Sequence, residues 1–218
     1  MDGTTLDRVA RGFAYLALHP RHAAHWLKDR ARPQSPLELG LPWVAWPCID
    51  WLDRRDFTGK RVFEYGGGGS SVYFLARGAR VRTVENSVAW AASIRKQVER
   101  TLGAEALTRF ELELVDMPEH PGPAERALAD SYVDRIGAGT RYDLVLVDGA
   151  DGALNLRMEC LARAGEHLAD RGAIVLDDAW RTAYHSAPAI LNGFSHHVFE
   201  GVGPARVGVT RTDVYERR

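Results

Sequence analysis

Five short stretches of this 218-residue chain carry carboxylates, two of them together with glycines, in a way that suits ligand binding. They are Glu64-Tyr65-Gly66-Gly67-Gly68-Gly69-Ser70-Ser71, Glu85-Asn86, Asp116-Met117-Pro118, Asp148-Gly149-Ala150-Asp151 and Asp177-Asp178-Ala179-Trp180-Arg181. A backbone without Cβ atoms turns tightly and approaches a ligand closely. Where it feeds a helix, the first turn also exposes free N–H groups. Glu85 is placed to accept hydrogen bonds from two ribose hydroxyls. It lies about as far beyond the glycine run as a strand–helix–strand unit requires. Asp116 suits an adenine amino group, and equally a helix cap.

These stretches all follow segments that read as strands. The spacing predicts strands at Arg61–Tyr65, Val81–Glu85, Phe110–Val115, Tyr142–Asp148 and Ala173–Asp177. Helices are predicted at Val72–Arg77, Val88–Leu102 and Leu154–Leu168, with a helical stretch near Ala187–Asn192. The run Tyr142-Asp143-Leu144-Val145-Leu146-Val147 has the near-continuous apolar character of a strand buried on both faces. Alternation of this kind implies an α/β fold, Rossmann-like and doubly wound, with a mostly parallel seven-stranded sheet. His197-Val198-Phe199 and Val207-Gly208-Val209-Thr210 are expected to close it as an antiparallel C-terminal pair. In such sheets ligands bind beyond the carboxyl ends of the strands, where the strand order reverses.

Residues 1–58 form a preface, expected to be an N-terminal helical cap on one globular unit covering residues 59–218. Leu6, Val9, Ala10, Phe13, Leu16 and Ala17 recur at helical spacing, and His19-Pro20 ends that helix. A second short helix is expected over Arg21–Arg30, then a loop over Arg32–Pro36. Pro42–Leu52 is dense in tryptophan, which suits a helix pinned to the core or a lid over a ligand.

The pattern Glu64-x-Gly66-x-Gly68-x-Ser70 resembles the acidic-x-Gly-x-Gly-x-Gly signature of class I S-adenosylmethionine-dependent methyltransferases, with Ser70 in place of the third glycine. The resemblance spans roughly Arg61–Thr210 and is strongest at Val62–Ser71, Val84–Asn86 and Asp143–Gly149. It implies S-adenosyl-L-methionine as cofactor. Glu64, Gly66 and Gly68 would hold the methionine part, Glu85 the ribose, and Asp116 with Met117 the adenine, and Ser70, Asn86 and Asp148 would also contribute to cofactor binding.

A second resemblance concerns the acceptor. Three carboxylates close together repel unless a cation or proton neutralises them, and hard oxygen ligands suit Mg²⁺. Asp148, Asp177 and Asp178 resemble the metal ligands of small-molecule O-methyltransferases, where Mg²⁺ binds and acidifies a substrate hydroxyl. Arg181 is close enough in sequence to compete with a metal, or to grip an anionic substrate or one aspartate. Asp148 and His185 are the candidate catalytic residues, His185 as a general base for a hydroxyl or amine substrate. Arg157 and Glu159 suit a solvated face or an ion pair with an aspartate.

Composition narrows the alternatives. A formal net charge of −1 argues against a nucleic-acid binder. Cys48 and Cys160, far apart and outside any C-x-x-C, suggest neither disulfide nor zinc. No apolar run approaches a membrane span, the N-terminus shows no leader, and a cytoplasmic location is expected. The expected partner is a small-molecule methyl acceptor, with a homodimer possible through the tryptophan-rich preface. A nicotinamide-dependent oxidoreductase on a similar sheet, and a methyltransferase-like protein that binds without catalysis, are the competing readings.

Overall fold

The computed structural model describes residues 5–31, 34–137 and 139–217. Met1–Thr4, and Arg32 and Pro33 of the expected loop, lie outside the described residues.

Strands β1 (Arg61–Tyr65), β2 (Arg80–Glu85), β3 (Phe110–Leu114), β4 (Tyr142–Val147), β5 (Leu168–Leu176), β6 (Ser195–Gly201) and β7 (Thr210–Glu216) form one sheet in the order β3-β2-β1-β4-β5-β7-β6. The first five are parallel and β7 runs antiparallel to both β5 and β6. The expected seven-stranded, mostly parallel sheet is therefore present. The closing hairpin is longer than the sequence suggested. Its last strand starts at Thr210, and residues 202–209 form the connecting loop. Val207 and Val209 have strand-like side chains, yet that segment is held by contacts to the N-terminal helices instead.

Alternation along the buried strands divides the core in two. Phe63, Tyr65, Val145, Val147, Ile174 and Leu176 face α7 (Arg126–Asp134) and α8 (Leu156–Glu166). Val62, Leu144, Leu146 and Val175 face α4 (Trp46–Asp53), α5 (Gly69–Ala76) and α6 (Val88–Leu102). Helices thus cover both faces, as a sheet buried on both sides demands. Helix α7 lies between the predicted strands Phe110–Val115 and Tyr142–Asp148, where no helix was expected. Its apolar residues Ala129, Tyr132 and Val133 cover too short a span for a clear helical period.

The sequence order reverses between β1 and β4. There the two strand ends touch. Gly66 has φ +81°, and a Cβ on it would lie 2.4 Å from Gly149 Cα. Both the backbone conformation and the close approach exclude any larger residue. A crevice at the carboxyl ends of β1 and β4 is the geometric result.

The preface packs onto the far half of the sheet. Helices α1 (Thr5–Leu18) and α2 (Pro20–Ala31) precede a short α3 (Pro36–Leu39) and α4. Pro20 opens α2 at a position whose N–H has no helical partner. Helix α1 clasps the β6–β7 loop: Val209 N–H donates to Arg8 O at 3.0 Å, and Arg8 Nε donates to Val209 O at 3.0 Å. Gly12 allows this contact, since a Cβ there would sit 2.1 Å from Val207 O. Trp26 and Trp43 donate their indole N–H groups to Arg206 O and Pro204 O. Of the two readings of the tryptophan-rich segment, the helix pinned to the core is the one observed. Trp46, Ile49 and Leu52 are buried in the core, each aliphatic one contributing about 2 kcal/mol. Trp43 stays 46% exposed above the sheet edge.

Candidate functional site

The glycine loop is braced from below by two acids. Glu64, fully buried at the end of β1, accepts from Ser71 Oγ at 2.5 Å and Thr83 Oγ1 at 2.7 Å, and Ser70 adds a further hydroxyl contact. Its other oxygen, Oε1, has no partner. Burial pushes this carboxyl up to about 7, because a charge in a dry site is poorly solvated. Glu85, at the end of β2, accepts backbone N–H bonds from Gly67 at 3.2 Å, Asn86 at 2.9 Å and Ser87 at 3.0 Å. Burial raises its pKa, and these three N–H groups oppose the shift. Oε2 receives only the long bond from Gly67, which leaves it acceptor capacity for a ligand hydroxyl.

The β2 and β3 ends are tied together. Asn86 Nδ2 donates to Met117 O at 3.1 Å, and Met117 N–H donates to Asn86 O at 3.2 Å. Met117 is buried and Asp116 beside it is exposed. Asp116 caps no helix, since the next helical turn begins at Pro123. Trp90 of α6 closes the loop from above by donating its indole N–H to Gly67 O at 2.9 Å. Sequence reading missed Trp90, because nothing in a helix marks which exposed aromatic overhangs a neighbouring loop. Glu64, Gly66, Gly68, Ser70, Glu85, Asn86, Asp116 and Met117 thus all lie at the carboxyl edge of β1, β2 and β3. The orphaned Glu64 oxygen and the unsaturated Glu85 carboxylate fit a ligand with polar groups to share.

The other half of the edge carries aspartates and arginines. Asp148, directly after β4, pairs with Arg157 of α8 at 3.2 Å. Arg157 is itself buried and also donates to Gly149 O at 2.9 Å and Asp148 O at 3.1 Å. Of the two readings of Arg157, the ion pair is the one realised. Asp148 remains 23% exposed at its side chain, and burial still raises its pKa against the pull of Arg157.

Asp177 is fully buried, accepts from Thr212 Oγ1 at 2.8 Å and lies 3.4 Å from Arg206. Burial, then the charge of Asp148, pushes its carboxyl to about 7. Asp178 has φ +54°, a left-handed turn that Asp tolerates better than most residues. Four donors hold it: Arg181 at 2.5 Å, Trp180 Nε1 at 3.1 Å, Arg206 at 3.3 Å and Thr210 Oγ1 at 3.3 Å. Burial opposes ionisation of Asp178, but the Arg206 and Arg181 guanidiniums outweigh it and hold the carboxyl at about 2.

This arrangement corrects the expected metal site. Asp148, Asp177 and Asp178 do need neutralising, but Arg157, Arg206 and Arg181 do it. Among the described residues no group of three or more His, Cys, Asp or Glu side chains is placed to hold a metal ion. The donor set therefore does not fit Mg²⁺. His185 lies apart from the aspartates. It is exposed at the end of a single helical turn over Thr182–Tyr184 and does not line the cleft beside Asp178. Buried Tyr184 instead bonds Asp151.

That cleft has a volume of about 380 Å³. Helix α1, Trp43, the Asp178–Arg181 turn and the Arg206–Gly208 segment form its walls. Asp177 N–H donates to Val147 O at 3.2 Å, and Arg157 reaches both Asp148 and the Asp177 carbonyl, so the neighbouring Asp178 and its cleft adjoin the β4 end. A second groove, lined by Arg61, Arg80, Arg82 and Arg109, lies at the opposite edge of the sheet and holds none of the expected site residues.

The sheet order, the antiparallel last strand and the crevice between β1 and β4 decide the fold. It is the class I methyltransferase fold. A provisionally assigned O-methyltransferase from Klebsiella pneumoniae superposes with a TM-score of 0.58 at 17% identity, covering 90% of this chain and 97% of its own. A methyltransferase from Geobacter sulfurreducens gives 0.55 at 18% identity, covering 96% of both chains. The magnesium protoporphyrin IX methyltransferase of Synechocystis, solved with bound S-adenosylmethionine, gives 0.52 at 18% identity over 79% of this chain and 77% of its own. No protein-family model and no curated protein matches the sequence. Among the described residues no helix is long and apolar enough to cross a membrane.

Proposed function

We propose that this protein is an S-adenosylmethionine-dependent methyltransferase acting on a small-molecule acceptor, with a hydroxyl as the methylated group. One observation carries the reading. Glu85 ends the second strand with one oxygen still able to accept, directly behind a glycine loop braced by the buried acid Glu64. That combination suits a nucleoside whose other end carries an ammonium group, which would complete the unpartnered Glu64 oxygen at the far side of the loop. A nicotinamide dinucleotide offers its second phosphate there instead, and a buried acid disfavours it.

The bound cofactor would supply an electrophilic methyl group, so the protein has mainly to position a nucleophile and take its proton. Glu85 and the Asn86–Met117 clasp fix the nucleoside end. Asp148 is the candidate base. It is partly exposed, its pKa is raised, and Arg157 fixes its orientation. The cleft beside Asp178 receives the acceptor, with Trp43 of the cap over it. No step is routed through a metal.

The test is a screen of hydroxylated small molecules with methyl-labelled S-adenosylmethionine, scored by release of S-adenosylhomocysteine. Turnover that falls at least ten-fold in Asp148→Asn supports the assignment. Failure to bind S-adenosylhomocysteine, with tight binding of NAD, would overturn it.

A further inference from the structure

Among the described residues, the wall of the acceptor cleft carries Arg8, Arg181 and Arg206 against one acid, Asp178, which is already saturated. A carboxylate offers about four lone-pair sites, and Asp178 already accepts from Arg181, Trp180, Arg206 and Thr210. Each guanidinium carries five N–H donors. Arg8 commits Nε to Val209 O. Arg206 reaches Asp178 and Asp177 with one nitrogen each. Arg181 reaches Asp178 and, at 3.6 Å, Asp151. Among the described residues, most of the donors around this space have no partner and can serve a ligand.

Two indoles shape the same space. The Arg8 guanidinium lies 4.0 Å from the Trp180 ring centre, and that of Arg206 lies 4.4 Å from the Trp43 ring centre. Stacking on an aromatic face holds a guanidinium flat and pre-orders it, so little further freedom is lost when it grips an oxyanion. Burial makes Arg8 less basic, and Arg206 and Arg181 add to that against the opposing pull of Asp178 and Asp177.

We infer that the acceptor is a planar or aromatic molecule bearing a carboxylate or phosphate group. Arg8 and Arg206 grip that group in paired N–H···O bonds, and Trp43 and Trp180 flank the flat body. This rests on the methyltransferase reading for the word acceptor, but the anion site stands on its own geometry. The three arginines come from α1, from the turn after β5 and from the β6–β7 loop, so the cap and the sheet close the site together.

The test uses the full chain saturated with S-adenosylhomocysteine and follows quenching of tryptophan fluorescence. The probes are benzoate, phenyl phosphate and neutral benzamide. Benzoate or phenyl phosphate should bind at least ten-fold more tightly than benzamide, and whichever wins identifies the anionic group. Arg8→Gln should weaken that binding about ten-fold while leaving S-adenosylhomocysteine affinity unchanged. Arg206→Lys, which keeps the charge beside Asp177 and preserves folding, should weaken it by a similar factor. Equal binding of anion and amide, no binding of either anion, or full affinity in both variants would overturn the inference. If the anions bind but S-adenosylhomocysteine does not, the anion site holds and the methyltransferase reading fails. The reverse result keeps the reading and removes the anion site.

Discussion

The two halves of the sheet edge are built on different principles. On the β1–β3 side, acids are met by backbone N–H groups and hydroxyls within a few residues or one strand, as with Glu85 against Gly67, Asn86 and Ser87. On the β4–β5 side, acids are met by arginine side chains, some near in sequence, as Arg181 is to Asp178, and some from other elements, as with Arg206, 28 residues from Asp178. The first half is specified by local spacing and leaves little room for variation. The second is assembled by tertiary contacts and can change partners one side chain at a time. A fixed cofactor and a variable acceptor would divide the edge in this way.

The contrast can be broken most forcefully on the rigid side. Gly66→Ala places a Cβ in a left-handed conformation and into Gly149. Strain and overpacking together should cost on the order of 4 kcal/mol. Denaturant unfolding should show the loss, and S-adenosylhomocysteine binding should vanish. A variant with near wild-type stability would mean that the two loops are not in contact.

Next in size is a pH effect at Glu64. Its carboxyl ionises near 7 when folded and near 4.5 when free. The folded state therefore holds its proton longer, and the contribution is fully present below pH 4.5 and is lost as pH rises to 7. Wild type should lose about 3 kcal/mol relative to Glu64→Gln over that interval, read from paired melting curves. Parallel curves would place Glu64 in a wetter site than described.

Glu85→Gln should weaken S-adenosylhomocysteine binding about 100-fold, worth about 2.7 kcal/mol, without changing benzoate binding. Arg8→Gln should do the opposite, with a ten-fold effect. If each variant disturbed both ligands equally, the edge would act as one unit and the division would be wrong. The smallest expected effect is none at all. Added Mg²⁺ or a chelator should leave cofactor affinity and transfer rate unchanged, because arginines already occupy the carboxylates. A clear Mg²⁺ requirement in transfer assays would restore the aspartate trio as a metal site.

Legibility in the sequence follows the same division. The strand ends, the glycine loop, Glu64 and Glu85 were readable because strand–turn–helix spacing is a short-range property. The need to neutralise Asp148, Asp177 and Asp178 was also readable, since clustered acids cannot all stay charged alone. The identity of the neutralising cation was not. Arg206 and Arg8 carry no periodic signal, and they reach the cleft only because α1 folds over the β6–β7 loop. The last strand was placed too early for the same reason, as Val207 and Val209 pair with the cap and not with the sheet. Arg157 was readable only as a choice between solvent and an aspartate, which its burial against Gly149 resolves.

The central claim is that the glycine loop and Glu85 hold S-adenosylmethionine. Calorimetric titration of S-adenosylhomocysteine and NAD into wild type and Glu85→Gln tests it most directly. The account predicts micromolar binding of S-adenosylhomocysteine to wild type, about 100-fold weaker binding to the variant, and no comparable binding of NAD. Tight NAD binding, or S-adenosylhomocysteine affinity untouched by the substitution, would contradict it.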